Sequence, residues 1–352
     1  MPAPTSNSTT STSDSRKSKT PSTEKAPIPP SIVAPGTELN PALAIEVATN
    51  TAPKVPEKLQ APRSSNGLRG LNEPITSTLP VDPNGKLNAL PKEVAISCSG
   101  CGFLGTYHFG VMIAFQRNAK ALLSRVTRFA GASAGSLVAT LMVLAPDSLE
   151  DGLHQMYEMA DELHRLPLGA LSPGFYLSER LGTIVNRYLP EDVRAANNRL
   201  FISLTRQKNK TNRMVSEYAN REYLARCLSA SCFIPIYSSG YYAVPPVIDN
   251  EPYIDGGYSM NLPVFEDIPT ITISPFSGSA LIAPQDRNRF EWKMTLGSQI
   301  MKVNMQNIMR GAHSLFPPSS KVLHAYYEMG YRDGLKFLLT NGLLERGNGS
   351  EC

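Results

Sequence analysis

The first 102 residues of this 352-residue chain contain no aromatic residue, and the first one along the chain is Phe103. Fourteen of the 29 prolines lie in residues 1–90, among Ser, Thr, Asn and Lys. A segment with so little apolar surface cannot offset the entropy that is lost when its backbone is ordered. We therefore expect a disordered tail over residues 1–90, a folded domain over residues 91–340 and a short flexible end over residues 341–352.

Cysteine is also scarce, since the chain has five, and their spacing is not that of a disulfide framework. This pattern indicates a reducing compartment. The amino terminus lacks a basic start followed by an apolar run, and the longest apolar stretches, such as residues 136–145, are shorter than the roughly 20 residues of a spanning helix. A formal charge of +4 does not mark a nucleic-acid binder. We expect a cytoplasmic protein that is soluble or peripheral and binds no nucleic acid.

From residue 93 onward, short β-favouring runs alternate with helical patterns. Strands are predicted at residues 94–98, 126–130, 200–205, 253–254 and 269–273. Helices are predicted at residues 106–118, 136–144, 149–165, 177–188, 221–228, 294–313 and 322–339. Such alternation indicates parallel strands that are joined by crossover helices. The predicted fold is a three-layer α/β domain with a mainly parallel sheet between helices.

A glycine-framed serine lies between a predicted strand and a predicted helix. Residues Gly131, Ala132, Ser133, Ala134 and Gly135 match the pattern G-x-S-x-G. In this pattern the serine sits on a sharp strand-to-helix turn, and its neighbours are small because the chain passes close to itself there. Amides at the start of the following helix also point toward the hydroxyl. Ser133 is our candidate nucleophile, and the other four residues would form its nucleophile elbow. The alternative is an ordinary serine in a tight turn.

A glycine-rich loop follows the first predicted strand. Its sequence, Gly100-Cys101-Gly102-Phe103-Leu104-Gly105, would let backbone N–H groups face an anion at a helix start. Such a loop can be an oxyanion hole or a dinucleotide pyrophosphate site. A dinucleotide site expects an acidic residue about 20 positions later, and none occurs between Gly105 and Asp147. An NADP site that used Arg125 or Arg128 would leave Ser133 unexplained. As an oxyanion hole the loop would use Gly100, Cys101, Gly102 and Gly105, and a dinucleotide site stays the alternative.

An Asp-Gly-Gly motif, Asp255-Gly256-Gly257, comes directly after another short predicted strand. On its own, such a motif is typical of a turn. A serine hydroxyl, however, is a weak nucleophile until a neighbouring group takes its proton. Desolvation can raise the basicity of an aspartate above its reference pKa of about 3.9. Beside Ser133, Asp255 is therefore the candidate base, and Gly256 and Gly257 would let its carboxylate come close to the serine.

In their order and separation, these three motifs resemble the patatin-like phospholipase domain family over about residues 92–276. Residues 100–105 and 129–137 resemble its adipose triglyceride lipase subgroup. Residues 272–278 and 315–318 fit the short triglyceride and retinyl-ester hydrolase type of that subgroup, which extends the resemblance nearly to the carboxyl terminus. The family's commoner glycine loop has Arg or Lys at the position of Leu104, and the neutral-lipid subgroup shares this departure.

The resemblance implies a patatin-like fold and a lipid acyl-ester hydrolase of the triacylglycerol lipase type, without a metal or organic cofactor. Ser133 would form an acyl-enzyme with Asp255 as its base, and residues 100–102 would form the oxyanion loop. Neutral lipid esters or phospholipids would be the substrates, at a lipid droplet or membrane surface, and a protein activator is left open. Phospholipase A and retinyl-ester hydrolase or transacylase activities would use the same dyad. A weakly catalytic lipid-surface scaffold is the alternative from another class.

Other candidate residues carry weaker signals. His313 and His324 follow Asp255 in the order of a Ser–Asp–His triad, although both lie in predicted amphipathic helices, and His108 lies near the glycine loop. Two cysteine pairs, Cys98 with Cys101 and Cys227 with Cys232, hint at metal or redox chemistry, but packing of small residues explains them better. We expect no metal site.

Two apolar features near the carboxyl terminus could serve packing or lipid binding. Met294, Met301, Met305 and Met309 form a methionine-rich stripe on the predicted helix 294–313. Core packing is the default role, and an adaptable surface around an acyl-chain entrance is the alternative. The last predicted helix carries tyrosines beside basic residues, which suits either a half-buried helix or contact with an anionic lipid surface.

Overall fold

The computed structural model describes residues 91–240, 243–286 and 292–345. The expected disordered tail, residues 1–90, and residues 346–352 of the expected flexible end lie outside the described residues. In the described part the strands are β1 (Val94–Cys98), β2 (Val126–Gly131), β3 (Leu200–Arg206), β4 (Asn212–Val215), β5 (Val247–Ile248), β6 (Glu251–Asp255), β7 (Thr270–Ile273), β8 (Lys293–Leu296) and β9 (Gln299–Lys302).

The α-helices of the described part follow the same chain order. They are α1 (Gly105–Asn118), α2 (Lys120–Leu123), α3 (Ala134–Leu144), α4 (Leu149–His164), α5 (Leu177–Tyr188), α6 (Arg221–Ser231), α7 (Met305–Leu315) and α8 (Ser320–Thr340). Helix α1 packs along α8, α3 packs on β2, and α6 packs on β3. Among these residues no helix is long and apolar enough to cross a membrane.

The main sheet has the strand order β5-β6-β3-β2-β1-β7. Strand β4 pairs with β3 along the edge opposite to the one that β2 and β6 use. Its centre is parallel, because β1 pairs in parallel with β2 and with β7, and β2 pairs in parallel with β3. Strand β1 is buried along its whole length, as expected for a parallel strand with both faces covered. The predicted three-layer α/β fold with a mainly parallel sheet is confirmed. The antiparallel strands β4, β5 and β6 extend it on one side.

Strand β3 is the element that brings the two candidate catalytic motifs together. Its first half pairs with β2, where Gly131 lies opposite Ile202. Its second half pairs with β6, where Asp255 lies opposite Leu204. The carboxyl ends of β2 and β6 therefore meet at the middle of β3. Residues 131–135 leave the sheet at the same place as the Asp-Gly-Gly motif.

The predicted helix over residues 294–313 is wrong in its first half. Residues 293–302 form the antiparallel hairpin β8–β9, and the helix begins only at Met305. The hairpin turns at Gly297 and Ser298, which both have positive φ (49° and 73°), the backbone that two-residue hairpin turns require. Asn304 then caps α7, because its side chain accepts a hydrogen bond from the Asn307 N–H at 2.6 Å. The methionine stripe is therefore divided between a hairpin and a helix.

Candidate active site

Ser133 occupies a strained turn between β2 and α3. Its φ of 50° and ψ of −129° lie in a region that non-glycine residues rarely adopt. A β-carbon on Gly131 would collide with the backbone of Gly135, so the close passage expected for a nucleophile elbow is present. The Ser133 N–H donates to the Ser231 hydroxyl (2.9 Å), which donates in turn to the Ser203 carbonyl (2.9 Å). Helix α6 and strand β3 thus hold the turn in place.

Asp255 ends β6 and is fixed through both its backbone and its side chain. Its N–H donates to the Phe233 carbonyl at 2.8 Å, and its own carbonyl accepts from the Thr205 hydroxyl at 2.7 Å. Its carboxylate accepts a hydrogen bond from the Gly257 N–H at 2.7 Å. Gly256 lies against the Ser203 backbone so closely that a β-carbon would not fit. The two glycines therefore let the chain fold back beneath the carboxylate.

The environment of Asp255 makes it a stronger base than an aspartate in water. Burial raises the pKa of Asp255 to about 6, although hydrogen bonding from the Ser133 side chain and the Gly257 N–H lowers it. Burial also raises the pKa of the neighbouring Cys232 thiol. Near pH 7 the cysteine therefore remains a neutral thiol beside an ionised aspartate. This is the charge state that proton transfer from Ser133 to Asp255 requires.

The glycine-rich loop lines the same cavity as Ser133 through Gly100, Cys101 and Gly102. The Gly100 N–H is engaged, since it donates to the Asn261 carbonyl at 3.1 Å. The N–H groups of Cys101 and Gly102, like that of Ala134 at the start of α3, have no hydrogen-bond partner within the part of the chain that the structure describes. Three free amides beside a serine are the donors that an oxyanion needs.

Gly105 belongs to the packing of the loop rather than to the site itself. It begins α1 and faces Met156 and Ala134, and a β-carbon there would lie 2.9 Å from the Met156 Cε. Gly100, Cys101 and Gly102 line the cavity in front of Ser133, whereas Gly105 does not. The free N–H groups of Cys101 and Gly102 therefore lie at the cavity, while Gly105 packs the loop against the rest of the fold.

Ser133 and Asp255 lie at the wall of a cavity of about 570 Å³. The rest of the wall is largely apolar and includes Phe233, Ile234, Ile254, Phe276, Met294, Leu296, Met301, Val303, Ile308 and Leu315. A pocket of this size with a few converging polar groups is typical of a small-molecule site. Its chemistry suits an ester carbonyl beside Ser133 and a hydrocarbon chain along the apolar wall.

The histidines of the alternative triad do not reach this cavity. All five histidines of the chain lie in the described part, and none of them lines it. His313 contacts the Tyr326 hydroxyl at 3.0 Å. His324 is exposed, stacks on Tyr327 and lies 3.6 Å from Glu328. No histidine is therefore positioned to take the proton of Ser133.

The cysteine pairs likewise form no metal centre in the described part, where no group of three or more His, Cys, Asp or Glu side chains could hold an ion. Cys98 is buried in β1, and the Cys101 Sγ lies 3.3 Å from the Nε2 of His108. Burial raises the pKa of both thiols. They therefore pack as neutral thiols.

Two residues that sequence reasoning missed help to build the site. Ser231 holds the Ser133 backbone, and Asn261 lines the cavity between the loop and Asp255. The Asn261 side chain donates to Gln299 of β9 at 2.7 Å, and Gln299 donates to Ser274 at 2.7 Å. Neither Ser231 nor Asn261 belongs to a spaced motif, so only the folded arrangement reveals them.

Comparisons with known proteins show what this chain is similar to. Residues 96–268 match the family described as patatin-like phospholipase. The chain is 38% identical over 255 residues to patatin-like phospholipase domain-containing protein 4 of Homo sapiens, which covers 72% of this chain and 100% of that protein. It is 39% identical over 261 residues to patatin-like phospholipase domain-containing protein 2 of Mus musculus. That match covers 73% of this chain and 53% of the mouse protein, about half its length.

A third relative is named for a different activity, acyl transfer. Omega-hydroxyceramide transacylase of Homo sapiens is 34% identical over 245 residues, which are 69% of this chain and 45% of that protein. Each of the three alignments covers about 70% of this chain. They confirm the family resemblance that the three sequence motifs predict.

Proposed function

Since this chain belongs to the patatin-like phospholipase family, we propose that it hydrolyses acyl esters of lipids with Ser133 as nucleophile and Asp255 as base. The observation that carries the proposal is the position of both side chains at the wall of one apolar cavity. A partly buried carboxylate whose pKa is raised to about 6 is suited to accept the serine proton near neutral pH. No cofactor is required.

The proposed reaction has two halves. As the Ser133 Oγ attacks the ester carbonyl carbon, its proton passes to Asp255, and the carbonyl oxygen becomes an oxyanion beside the amides of Cys101, Gly102 and Ala134. The C–O bond to the alcohol then breaks, and the alcohol leaves with the proton from Asp255. In the second half, water gives a proton to Asp255 and attacks the acyl-enzyme, and the fatty acid leaves as Ser133 regains its proton.

Neutral glycerides are the substrates we favour, as in the adipose triglyceride lipase subgroup. The cavity wall beyond the dyad is largely apolar, with Lys302 as its one charged side chain apart from Asp255 among the described residues. A phospholipid headgroup would find little to bind there, so phospholipase A activity is the weaker alternative. We place the enzyme in the cytoplasm, peripheral to lipid droplets or membranes, with an activating protein left open.

Acyl transfer to a lipid alcohol is a second candidate function, because one relative is named as a transacylase. An apolar cavity favours a lipid alcohol over water as the acyl acceptor for the same reason that it binds an acyl chain. With retinol or a diacylglycerol added, transfer would appear as new ester at the expense of free fatty acid.

The first experiment measures fatty-acid release from emulsified triacylglycerol and from phospholipid vesicles. We expect release by the native chain, and none above background by Ser133→Ala or Asp255→Asn. His313→Ala and His324→Ala are matched controls that should keep native rates. Loss of activity in either histidine variant would favour a triad instead.

A fluorophosphonate probe separates the enzyme from a non-catalytic scaffold. The native chain should be labelled at Ser133, and Ser133→Ala should not be labelled. An unlabelled native chain that also releases no fatty acid would favour the lipid-surface scaffold over the enzyme.

A further inference from the structure

On helix α7, two polar side chains are buried while several apolar side chains are exposed. Met305, Ile308 and Met309 are 68%, 61% and 48% exposed, whereas Arg310 and Ser314 are 5% and 9% exposed. A surface helix of a globular protein normally shows the opposite arrangement. Such an inversion marks a face that is covered by something other than water.

The inward side of α7 is firmly anchored, so the inversion is not a sign of a loosely packed helix. Arg310 forms two hydrogen bonds to Asp286, at 2.6 and 2.9 Å. Asn307 donates to the carbonyls of Ser277 and Lys302, both at 2.8 Å. These buried polar contacts fix the rotation of the helix and thereby hold its apolar side outward.

The hairpin β8–β9 continues the same apolar surface. Strand β8 is exposed along its length, and Met294 and Leu296 project from one side of it. Trp292, directly before β8, is 72% exposed. We call the set formed by Trp292, Met294, Leu296, Met305, Ile308 and Met309 the apolar face.

The apolar face is continuous with the cavity of the active site. Met294, Leu296 and Ile308 belong to both, because each is about half exposed or more and each also lines the cavity that holds Ser133. A protein seated on this face would cover the cavity mouth. A lipid surface seated there would instead deliver hydrocarbon chains into it.

The charge of this part of the chain also fits a lipid surface that carries phosphate. Residues 292–316 contain no Asp or Glu. Lys293 and Lys302 flank the hairpin, and the one arginine of the segment is held inward by Asp286. Lys293 is exposed, and a lysine beside an apolar patch is typical of helices and hairpins that lie at a membrane interface.

We propose that the apolar face inserts into a phospholipid-covered surface and sets the mouth of the active-site cavity against the acyl layer. The inference rests on the proposed function in that it gives the route by which a lipid ester would reach Ser133. It assigns to α7 and the β8–β9 hairpin a role in binding that is separate from catalysis.

Trp292 provides a direct measurement, because it is the only tryptophan of the chain. The full chain carrying Ser133→Ala, which removes hydrolysis, is mixed with phosphatidylcholine vesicles with and without an anionic phospholipid. We expect a blue shift of tryptophan emission and quenching by brominated acyl chains, with tighter binding to the anionic vesicles. The double variant Met305→Ser, Met309→Ser should bind the vesicles at least about tenfold more weakly than the parent.

Leu339→Ser is the matched control, since Leu339 is 69% exposed but lies on α8 outside the apolar face. It should bind like the parent. Equal binding by the double variant and the control would overturn the proposal. Absence of binding to either vesicle by the parent would also overturn it and would point to a protein partner for this face.

Activity assays keep this inference distinct from the proposed function. With Ser133 intact, the double variant should hydrolyse a short, water-soluble ester at the native rate and lose activity only on emulsified triacylglycerol. If the native chain hydrolyses neither substrate but its tryptophan still responds to vesicles, the proposed function fails while the lipid-binding face stands. If the double variant loses both activities equally, the face has no separate binding role.

Discussion

The backbone carbonyl of Ser314, near the end of α7, occupies the space that a β-carbon on Gly102 would need. Gly102 also has a φ of 52°, in the left-handed region. The loop that carries the free amides is therefore fitted directly against the helix that borders the cavity. Any side chain at position 102 has to move one of these two elements.

We expect Gly102→Ala to lower kcat by about 100- to 1000-fold, the range typical for loss of one oxyanion donor. The measurement is kcat on a water-soluble ester, which avoids any effect on binding to a lipid surface. Gly182→Ala is the matched control, because a β-carbon at that position on α5 meets nothing within 4 Å. It should keep native kcat and should unfold no more easily, since alanine favours helix over glycine. A native rate for Gly102→Ala would remove the loop from the oxyanion site.

Sequence reasoning predicted the central strands and the turn at Ser133 because these depend on local patterns. Buried strands and glycine-framed turns leave their signature within a few neighbouring residues. The hairpin β8–β9 was missed because its apolar residues also fit a helical period. Its turn depends on positive φ at Ser298, which a sequence pattern does not mark. Short apolar runs remain ambiguous between the two periods.

The contacts around Asp255 were beyond prediction for a different reason. Asn261 reaches the site because its own segment is held by β9, through a hydrogen bond to Gln299. Ser231 reaches Ser133 because α6 packs on β3. Both contacts join segments that are far apart in the chain, and their partners have ordinary polar side chains without fixed spacing. The first contact depends on the position of β9 and the second on the packing of α6 against β3, and neither is set by local sequence.

Activity should depend on the ionisation of Asp255. Because burial raises the pKa of Asp255 to about 6, the carboxylate that we propose as the acceptor of the serine proton is lost as the pH falls below that value. We expect kcat/KM on a water-soluble ester to fall about tenfold per pH unit below pH 6 and to level off above it. His108 would not produce this limb, since burial lowers its pKa to about 4. A flat profile between pH 5 and 7 would argue against Asp255 as the base.

The raised pKa of Asp255 also predicts that stability, unlike activity, decreases as the pH rises. The folded protein holds the Asp255 proton up to about pH 6, while the unfolded chain releases it near the ordinary value of 3.8. Unfolding therefore releases a proton between these values, and the free energy of unfolding should fall as pH rises through this window. The difference corresponds to about 3 kcal/mol. Asp255→Asn should lack this fall and be more stable at pH 7, as measured by urea unfolding at pH 4 and 7.

His108 should hold the glycine loop through its Nε2, which contacts both the Ser99 carbonyl and the Cys101 Sγ. Its Nε2 lies 2.8 Å from the Ser99 carbonyl, the residue that precedes Gly100, and its Nδ1 has no partner in the described part of the protein. His108→Leu leaves that buried carbonyl without a donor, so we expect a loss of about 1–3 kcal/mol in unfolding free energy. The kcat should also fall. His154→Leu, at an exposed site on α4, is the control and should change neither quantity measurably.

The buried ion pair between Arg310 and Asp286 should be the main anchor of α7. Both side chains are less than a tenth exposed, and although burial alone would raise the pKa of Asp286, hydrogen bonding from Arg310 keeps it below its usual value. Arg310→Met leaves the Asp286 carboxylate without its charged partner, and we expect urea unfolding to give a loss of about 3–5 kcal/mol. Arg117→Met breaks a pair with Glu150 of the same 2.6 Å length, but both its side chains are more than half exposed. Because water screens such a pair, its loss should be about 1 kcal/mol or less, and equal losses in the two variants would mean that α7 is held by its other contacts.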